Sequence, residues 1–231
     1  MKTSKKLFLF ILTVSSFTFS CKKDDPNGGF SEEINNIVPA EVISTIRKQG
    51  MTIYEGKTPP QIEGIYLFSD NVLSGSTIED DEIGEIYADY RYQFYEQDQT
   101  TLAVKTSFRG YNRKGELLSE GIGKGSFISG NKNVFSVFSE EHTTSSTGAT
   151  SVILTIYSGE YTDTGIKNFQ YAFYMKDKND PNNDLIDIGS TRVFKDGDGL
   201  SEPMSNLRVS FEEGLKRNSA QTVMKENSGR Y

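Results

Sequence analysis

Apolar and polar residues alternate with a period of two through much of the chain between residues 62 and 194. Successive side chains of a β-strand point to opposite faces of the sheet, so this period predicts strands that bury one face. The pattern is clearest at 85–96, where apolar and polar residues occupy opposite faces: Ile86, Ala88, Tyr90, Tyr92 and Phe94 against Asp89, Arg91 and Gln93. Turn residues, such as those of Asn112–Gly115, separate neighbouring runs.

About eight such runs follow Pro59 and Pro60, with short connections and no helical segment between them. This order predicts an all-β fold, an up-and-down antiparallel barrel of about eight strands over residues 59–200. The expected strands cover 62–68, 85–96, 102–109, the glycine-rich run around 121–125, 134–139, 151–157, 169–175 and 185–194. The polar segments 70–84 and 140–148 are expected to be loops.

Two of the expected strands have unusual faces. The strand at 151–157 is apolar on both sides, which predicts that both of its faces are covered. Gly121, Gly123 and Gly125 share one face of their strand, and a face without side chains lets the strand bend or lets another group approach closely.

Aromatic residues supply the expected interior of the barrel. The 231-residue chain contains 12 Tyr, 15 Phe and no Trp. Six aromatic residues are expected to line the lumen and are the candidate ligand contacts: Tyr90, Tyr92, Phe94, Phe108, Tyr171 and Phe173. The formal charge is −7, and about −10 without the three lysines of the first twenty residues, which argues against nucleic acid and anionic headgroups as partners.

Residues 1–20 have the pattern of an export signal peptide. Three lysines precede an apolar stretch that begins at Leu7 and is too short for a stable membrane span. Cys21 follows directly, and as the only cysteine it has no partner for an internal disulfide.

The position of Cys21 after Thr18-Phe19-Ser20 resembles the lipobox of bacterial lipoproteins, with Thr18 where that family usually has Leu. The resemblance implies that Cys21 becomes the lipidated first residue and anchors the protein to a membrane. Ordinary signal cleavage after Ser20 is the alternative.

The residues Cys21–Asp25 also look like the start of mature lipoproteins from Bacteroidetes, in which a lysine followed by acidic residues is associated with the cell surface. This likeness implies a lipid anchor in the outer membrane, with the external and the periplasmic face as alternatives. Residues 21–35 are polar and are expected to form a flexible lipidated tether.

One helix is expected ahead of the barrel, over residues 36–50, where Pro39 suits a first turn and Gly50 suits the position after the last turn. Its apolar stripe consists of Val42, Ile43 and Ile46. With an apolar run at 51–54, interpreted as an edge strand, it makes up the segment 36–58. Residues 201–231 form a polar C-terminal extension, in which one more strand is expected from the alternation of Leu207, Val209 and Phe211.

The strand order, together with a glycine-x-aromatic at its start and an arginine at its end, resembles a lipocalin-like barrel. In that family the aromatic residue of the first strand packs against the arginine and closes the base of the barrel. The matching positions are Gly64, Tyr66 and Arg192, with Tyr66 where the family usually has Trp. The resemblance covers residues 60–195 and implies a lipocalin-like lipoprotein of the Bacteroidetes type.

Catalytic chemistry finds little support in the sequence. His142, the only histidine, lies in a Glu/Ser/Thr-rich run, where local crowding does not amount to the geometry of a triad. Asp196-Gly197-Asp198-Gly199 places alternate aspartates as calcium loops do, but its spacing fits a tight turn better. We therefore expect no enzyme activity, no cofactor and no metal site.

Two functions remain open. In the first, the barrel binds a small hydrophobic or amphipathic molecule; in the second, a filled barrel serves as an interaction module of a cell-surface complex. The two differ in the cavity, since a lumen larger than roughly 300 Å³ favours ligand binding and a filled lumen with an exposed apolar patch favours a protein partner.

Overall fold

The structure, a computed structural model, describes residues 30–208 and consists mainly of β-strands. Within these residues thirteen strands form one sheet, and all but one of their pairings are antiparallel. In chain order they are β1 Lys57–Thr58, β2 Gly64–Phe68, β3 Asn71–Ser76, β4 Ile86–Tyr87, β5 Asp89–Tyr95, β6 Lys105–Tyr111, β7 Leu117–Asn131, β8 Val134–Ser145, β9 Thr150–Thr162, β10 Gly165–Asn179, β11 Thr191–Lys195, β12 Leu200–Ser201 and β13 Pro203–Met204. The expected antiparallel all-β class is confirmed, whereas the count of about eight strands is not.

The sheet follows the path β13-β2-β5-β6-β7-β8-β9-β10-β11-β3-β4. Strands β2 and β3 are separated by only Ser69 and Asp70, and Asp70 has a φ of +43°. The chain bends there, so that β2 pairs with β5 while β3 pairs with β11. Two short strands add further links, since β12 pairs with β10 and β13 pairs with β2.

The curl of the sheet brings distant strands together. Three strands, β6, β7 and β8, lie between β5 and β9 along the sheet. The ring centroids of Tyr92 on β5 and Tyr157 on β9 are nevertheless only 4.9 Å apart. The concave face therefore encloses a core of aromatic and aliphatic side chains, in which Phe68, Phe135 and Phe169 are fully buried.

The two helices cover the convex face. They are α1 Glu32–Ile37 and α2 Ala40–Lys48, where a single helix over 36–50 was expected. The break comes at Pro39, which lacks a backbone N–H and holds the preceding Val38 in an extended conformation. A second core forms beneath the helices from Ile34, Val38, Val42, Ile43 and Ile46 against Phe138, Leu154, Ile156, Ala172 and Val193.

Strand β9 has both faces buried, as expected for 151–157. Leu154 and Ile156 belong to the core under the helices, while Tyr157 belongs to the aromatic core. The sequence pattern was informative here because a strand between two apolar layers has no polar face.

Several expected boundaries are wrong. The segment 70–84 is not all loop, since it contains β3, and the segment 140–148 is mostly strand, because β8 continues to Ser145. Thr143 and Thr144 are β-branched and pair with residues on both neighbouring strands, which sustains the strand. The last expected strand, 185–194, begins only at Thr191.

The apolar run at 51–54 is not an edge strand. Its backbone N–H groups bind side chains instead, since Thr52 N donates to Gln170 Oε1 over 3.0 Å and Tyr54 N donates to Ser136 Oγ over 2.8 Å. The first residues of the expected C-terminal extension pack on the sheet through Arg91, whose Nη1 donates to the carbonyl oxygen of Asn206 over 2.8 Å. The predicted signal peptide, Cys21, Val209 and Phe211 lie outside the described residues.

Candidate binding site

A small cavity of about 130 Å³ lies at one end of the aromatic core, and we call it the aromatic cup. Six rings line it: Tyr90 and Tyr92 on β5, Phe108 on β6, Tyr157 on β9, and Tyr171 and Phe173 on β10. The remaining lining residues are smaller or polar: Ser119, Glu141, Thr143, Ser151, Ile153, Thr155, Met175 and Leu185. Five of the six predicted ligand contacts thus line one cavity.

The sixth predicted contact, Phe94, lies deeper in the core. Its ring centroid is 5.4 Å from that of Tyr157 and 6.2 Å from that of Phe135. Because Phe94 is 1% exposed and does not line the cavity, it fills space beneath the cup.

Tyr92 is at the centre of the ring arrangement. It is parallel to Tyr90, with centroids 5.8 Å apart, and edge-on to Tyr157. Its centroid also lies 5.2 Å from that of Tyr171. Offset and edge-to-face pairs at these distances are the favourable arrangements of aromatic rings, so the walls of the cup form one packed cluster.

A glycine on β7 makes room for Phe108. A Cβ atom at Gly121 would lie 2.3 Å from Phe108 Cε1, so a larger residue there would displace the ring from the wall of the cup. This close approach is one of the two roles that the glycine face of the strand predicted, the other being a bend of the strand.

Glu141 on β8 is the acidic residue of the cup, and its side chain is fully buried. Its Oε1 accepts hydrogen bonds from Thr106 Oγ1 over 2.9 Å and from Tyr157 Oη over 2.8 Å. Its Oε2 accepts one from Thr155 Oγ1 over 3.0 Å. Burial raises the pKa of Glu141, and these hydroxyl donors partly offset that rise by stabilising the carboxylate.

The tyrosine hydroxyls of the cup differ in their partners. Tyr90 Oη lies 3.3 Å from Ser119 Oγ, and Tyr171 Oη accepts from Asn71 Nδ2 over 3.3 Å. The Tyr92 hydroxyl makes no hydrogen bond of good geometry among the described residues, although Tyr92 is only 2% exposed; the Tyr171 hydroxyl interacts with it only weakly. Burial raises the pKa of Tyr92 well above the ordinary range, so the hydroxyl stays protonated and able to donate.

The residues lining the cup include one carboxyl group and no Lys, Arg or His. Arg192 lies over the ring of Tyr87, 5.5 Å from its centroid, and is paired with an acid of its own. Its Nε and Nη2 donate to the carboxylate of Asp81 over 2.7 and 2.6 Å, and this bidentate contact lowers the pKa of Asp81. The lining of the cup therefore carries negative or neutral charge only.

The three residues assigned to barrel closure lie in two different surroundings. The Tyr66 hydroxyl donates to the carbonyl oxygen of Ile62 over 3.1 Å. Gly64 allows this turn-back of the side chain, because a Cβ atom there would lie 2.9 Å from the Tyr66 hydroxyl. Gly64 and Tyr66 are thus brought together, whereas Arg192 bonds to Asp81.

The turn Asp196–Gly199 is held by hydrogen bonds within the chain. Asp196 accepts a hydrogen bond from Ser201 Oγ, and Asp198 accepts one from the backbone N–H of Leu200. Burial raises the pKa of Asp196 to about 7. Across residues 30–208 no group of three or more His, Cys, Asp or Glu side chains is arranged to hold a metal ion.

His142 and Glu141 are neighbours on β8 with opposite exposure. The histidine is half-exposed and lies 3.7 Å from the Glu140 carboxylate, which also binds Lys176. Glu141 and Tyr157 were both missed as site residues. Period-two alternation from Phe135 through Val137, Ser139 and Glu141 was the signal, since it places Glu141 on the same face as the buried Phe135.

Two further cavities among residues 30–208 adjoin the aromatic cup, and each shares lining residues with it. The larger, about 520 Å³, follows β6, β7 and β8 and includes Ile122, which is 59% exposed. The other, about 280 Å³, is polar and lies beside His142 and Lys178. No helix within the described part of the chain is long and apolar enough to cross a membrane. No protein-family model matches the chain, and neither a curated protein nor a solved structure matches it.

Proposed function

We propose that this protein is a lipid-anchored binding protein that holds a small amphipathic molecule in its aromatic cup. The main support is the Tyr92 hydroxyl, which is buried in a cavity of aromatic rings without a hydrogen bond of good geometry. An unsatisfied buried hydroxyl costs about 1–3 kcal/mol of stability, and a bound polar group would recover that cost.

We also propose that the curled sheet is a lipocalin-like barrel. If β2 and β3 count as one bent strand, eight strands follow one another around the core: β2/β3, β5, β6, β7, β8, β9, β10 and β11. This order, together with the Gly64–Tyr66 contact, supports a lipocalin-like barrel. Such barrels bind ligands at an open end, which is the position that we assign to the cup.

The volume of the cup limits what it can hold. About 130 Å³ is less than half of the roughly 300 Å³ at which drug-sized pockets begin. At about 30 Å³ for each water molecule, the space corresponds to roughly four waters. We therefore propose that a small polar end group enters the cup and that any longer apolar part of the molecule extends beyond it.

The location proposed is the outer membrane, through lipidation of Cys21. Support comes from the sequence alone, namely the position of the only cysteine after an apolar stretch and the acidic segment that follows it. With this anchor the cup would sample molecules near the membrane surface.

A pair of variants tests the binding proposal. Ile153→Phe places a larger side chain in the lining of the cup, and Val152→Phe makes a similar change at the preceding residue, which does not line the cup. The protein is screened against small amphipathic molecules by ligand-observed NMR. We expect a binder whose affinity falls about tenfold or more in Ile153→Phe and stays unchanged in Val152→Phe; absence of any binder would refute the proposal.

The interaction module remains the second candidate, because the cup is small and the 520 Å³ groove along β6–β8 exposes Ile122. Ile122→Asp tests it. Loss of cross-linking to a neighbouring surface protein in intact cells, with unchanged binding in the cup, would favour this function over ligand binding.

A further inference from the structure

The chemistry of the cup also bears on the charge of its ligand. Among its lining residues, Glu141 is the one acid, and basic side chains are missing. An anionic ligand would have to lose its water of hydration beside this carboxyl group without a cation to compensate. Carboxylates and phosphates therefore fit the cup poorly.

A purely apolar ligand fits poorly as well. It would leave the Tyr92 hydroxyl unpartnered and would remove water from the neighbourhood of Glu141. Buried polar groups without hydrogen bonds lower stability, so a ligand that makes only apolar contacts would leave the polar groups of the cup unsatisfied.

Glu141 Oε2 accepts fewer of the hydroxyl hydrogen bonds than Oε1 does. A carboxylate offers about four acceptor positions. Three hydroxyl groups, those of Thr106, Thr155 and Tyr157, occupy three of them. Of these three bonds only the one from Thr155 reaches Oε2, so a donor on a ligand would bind at that oxygen, and the nearby Ser139 hydroxyl also stabilises the carboxylate.

The ring faces add a second attraction for positive charge. Six aromatic rings line the cavity, and the face of an aromatic ring carries the negative part of the ring quadrupole. An ammonium group among such faces gains about 0.5–2 kcal/mol from cation–π contact, and more when it is desolvated. A carboxylate combined with aromatic faces thus selects for a cation with attached carbon atoms.

We propose that the ligand of the aromatic cup is an organic amine whose ammonium group enters the cup beside Glu141. This inference rests on the proposed binding function and deepens it by naming the chemical class of the ligand. The volume of about 130 Å³ accommodates an ammonium group with a short alkyl stem, and a longer chain would leave through the opening.

Three probes of the same chain length distinguish the classes: n-hexylammonium, n-hexanol and hexanoate. Each is titrated into the wild-type protein at neutral pH by calorimetry or ligand-observed NMR. We expect hexylammonium to bind at least about tenfold more tightly than hexanol, which corresponds to about 1.4 kcal/mol, and hexanoate to bind most weakly.

Glu141→Gln tests the partner of the ammonium group. It keeps the shape of the side chain and removes its capacity to ionise, which a bound ammonium group would favour, and we expect hexylammonium binding to fall to the level of hexanol. Glu140→Gln is the matched control, because the same change one residue away affects a side chain that pairs with Lys176 outside the cup. Binding in the control should stay within about twofold of wild type.

The outcomes separate the two proposals. If hexanol or hexanoate binds as tightly as hexylammonium, the amine proposal is overturned while ligand binding in the cup stands. If none of the three probes binds, the binding function itself is overturned. The wild-type titrations distinguish the three ligand classes even if Glu141→Gln does not fold.

Discussion

Removal of one hydroxyl group from either of two touching tyrosines should change stability in opposite directions. Tyr92 and Tyr157 are 2% and 1% exposed, and their ring centroids are 4.9 Å apart. The Tyr157 hydroxyl donates to Glu141 over 2.8 Å, whereas the Tyr92 hydroxyl makes no hydrogen bond of good geometry among the described residues. Tyr92→Phe and Tyr157→Phe remove the same atom, so the difference between them reports the hydrogen bond.

The expected magnitudes follow from these contacts. Tyr157→Phe removes a hydrogen bond to an acidic group and should lower the free energy of unfolding by about 1.5–3 kcal/mol. Tyr92→Phe removes an unsatisfied buried hydroxyl and should raise that free energy by about 1 kcal/mol. In a domain of this size each kcal/mol shifts Tm by about 2–4 °C, so the two variants should differ by about 5–16 °C.

Urea unfolding at neutral pH, followed by tyrosine fluorescence and circular dichroism, measures both changes. The slope of the unfolding free energy against urea concentration should be the same in wild type and variants, so that differences in the unfolding midpoint report differences in stability. Tyr95→Phe is the control, since Tyr95 lies at the half-exposed end of β5 and should change stability by less than about 0.5 kcal/mol. Destabilisation by Tyr92→Phe would refute the reasoning, because it would mean that the hydroxyl has a partner in the folded protein.

Three further predictions concern charge and the anchor. Asp81→Asn should lower the free energy of unfolding at pH 7 by about 1–3 kcal/mol, because Arg192 loses its charged partner. This contact lowers the Asp81 pKa, so the difference in unfolding free energy between variant and wild type should shrink as pH falls below about 4, which urea unfolding at several pH values measures. Because the pKa of Asp196 is raised to about 7, the free energy of unfolding of the wild type should fall as pH rises from about 4 to 7. Asp196→Asn should remove this contribution to the pH dependence of the unfolding free energy, and an unchanged pH dependence in the variant would contradict the prediction. Cys21→Ala should move the protein from the membrane fraction to the soluble fraction, and retention with membranes would exclude lipidation as the anchor.

The faces of the strands were predictable because side-chain alternation is a local property of the backbone. Tyr90, Tyr92 and Phe108 were assigned to the interior from spacing alone, and all three line the cup. The predicted closeness of Gly121 to another group is likewise found, with the Phe108 ring against it.

Non-local pairing was harder to predict. Nothing near Asn71–Ser76 indicates that this polar segment pairs with β11, a strand more than a hundred residues later. The bend at Asp70, where φ is +43°, depends on that pairing and has no glycine to mark it. The polar composition of the segment 70–84 therefore led to the prediction of a loop where the structure has strand β3.

Glu141 was missed for a related reason. Its neighbours Glu140, His142 and Thr143 make the segment look like a solvated loop, although burial affects alternate residues only. The hydroxyl groups of Thr106, Thr155 and Tyr157 that surround its carboxylate come from two other strands. A buried acid supported by such distant donors cannot be recognised from a local pattern.

Intermolecular NOEs between n-hexylammonium and the protein test most directly whether the aromatic cup is a binding site. We expect the protons next to the ammonium group to give NOEs to the rings of Tyr92, Tyr157 and Tyr171, with the end of the alkyl chain nearer Phe173 and Ile153. NOEs confined to the groove around Ile122, or to residues outside the cup altogether, would contradict the assignment of this cavity as the functional site.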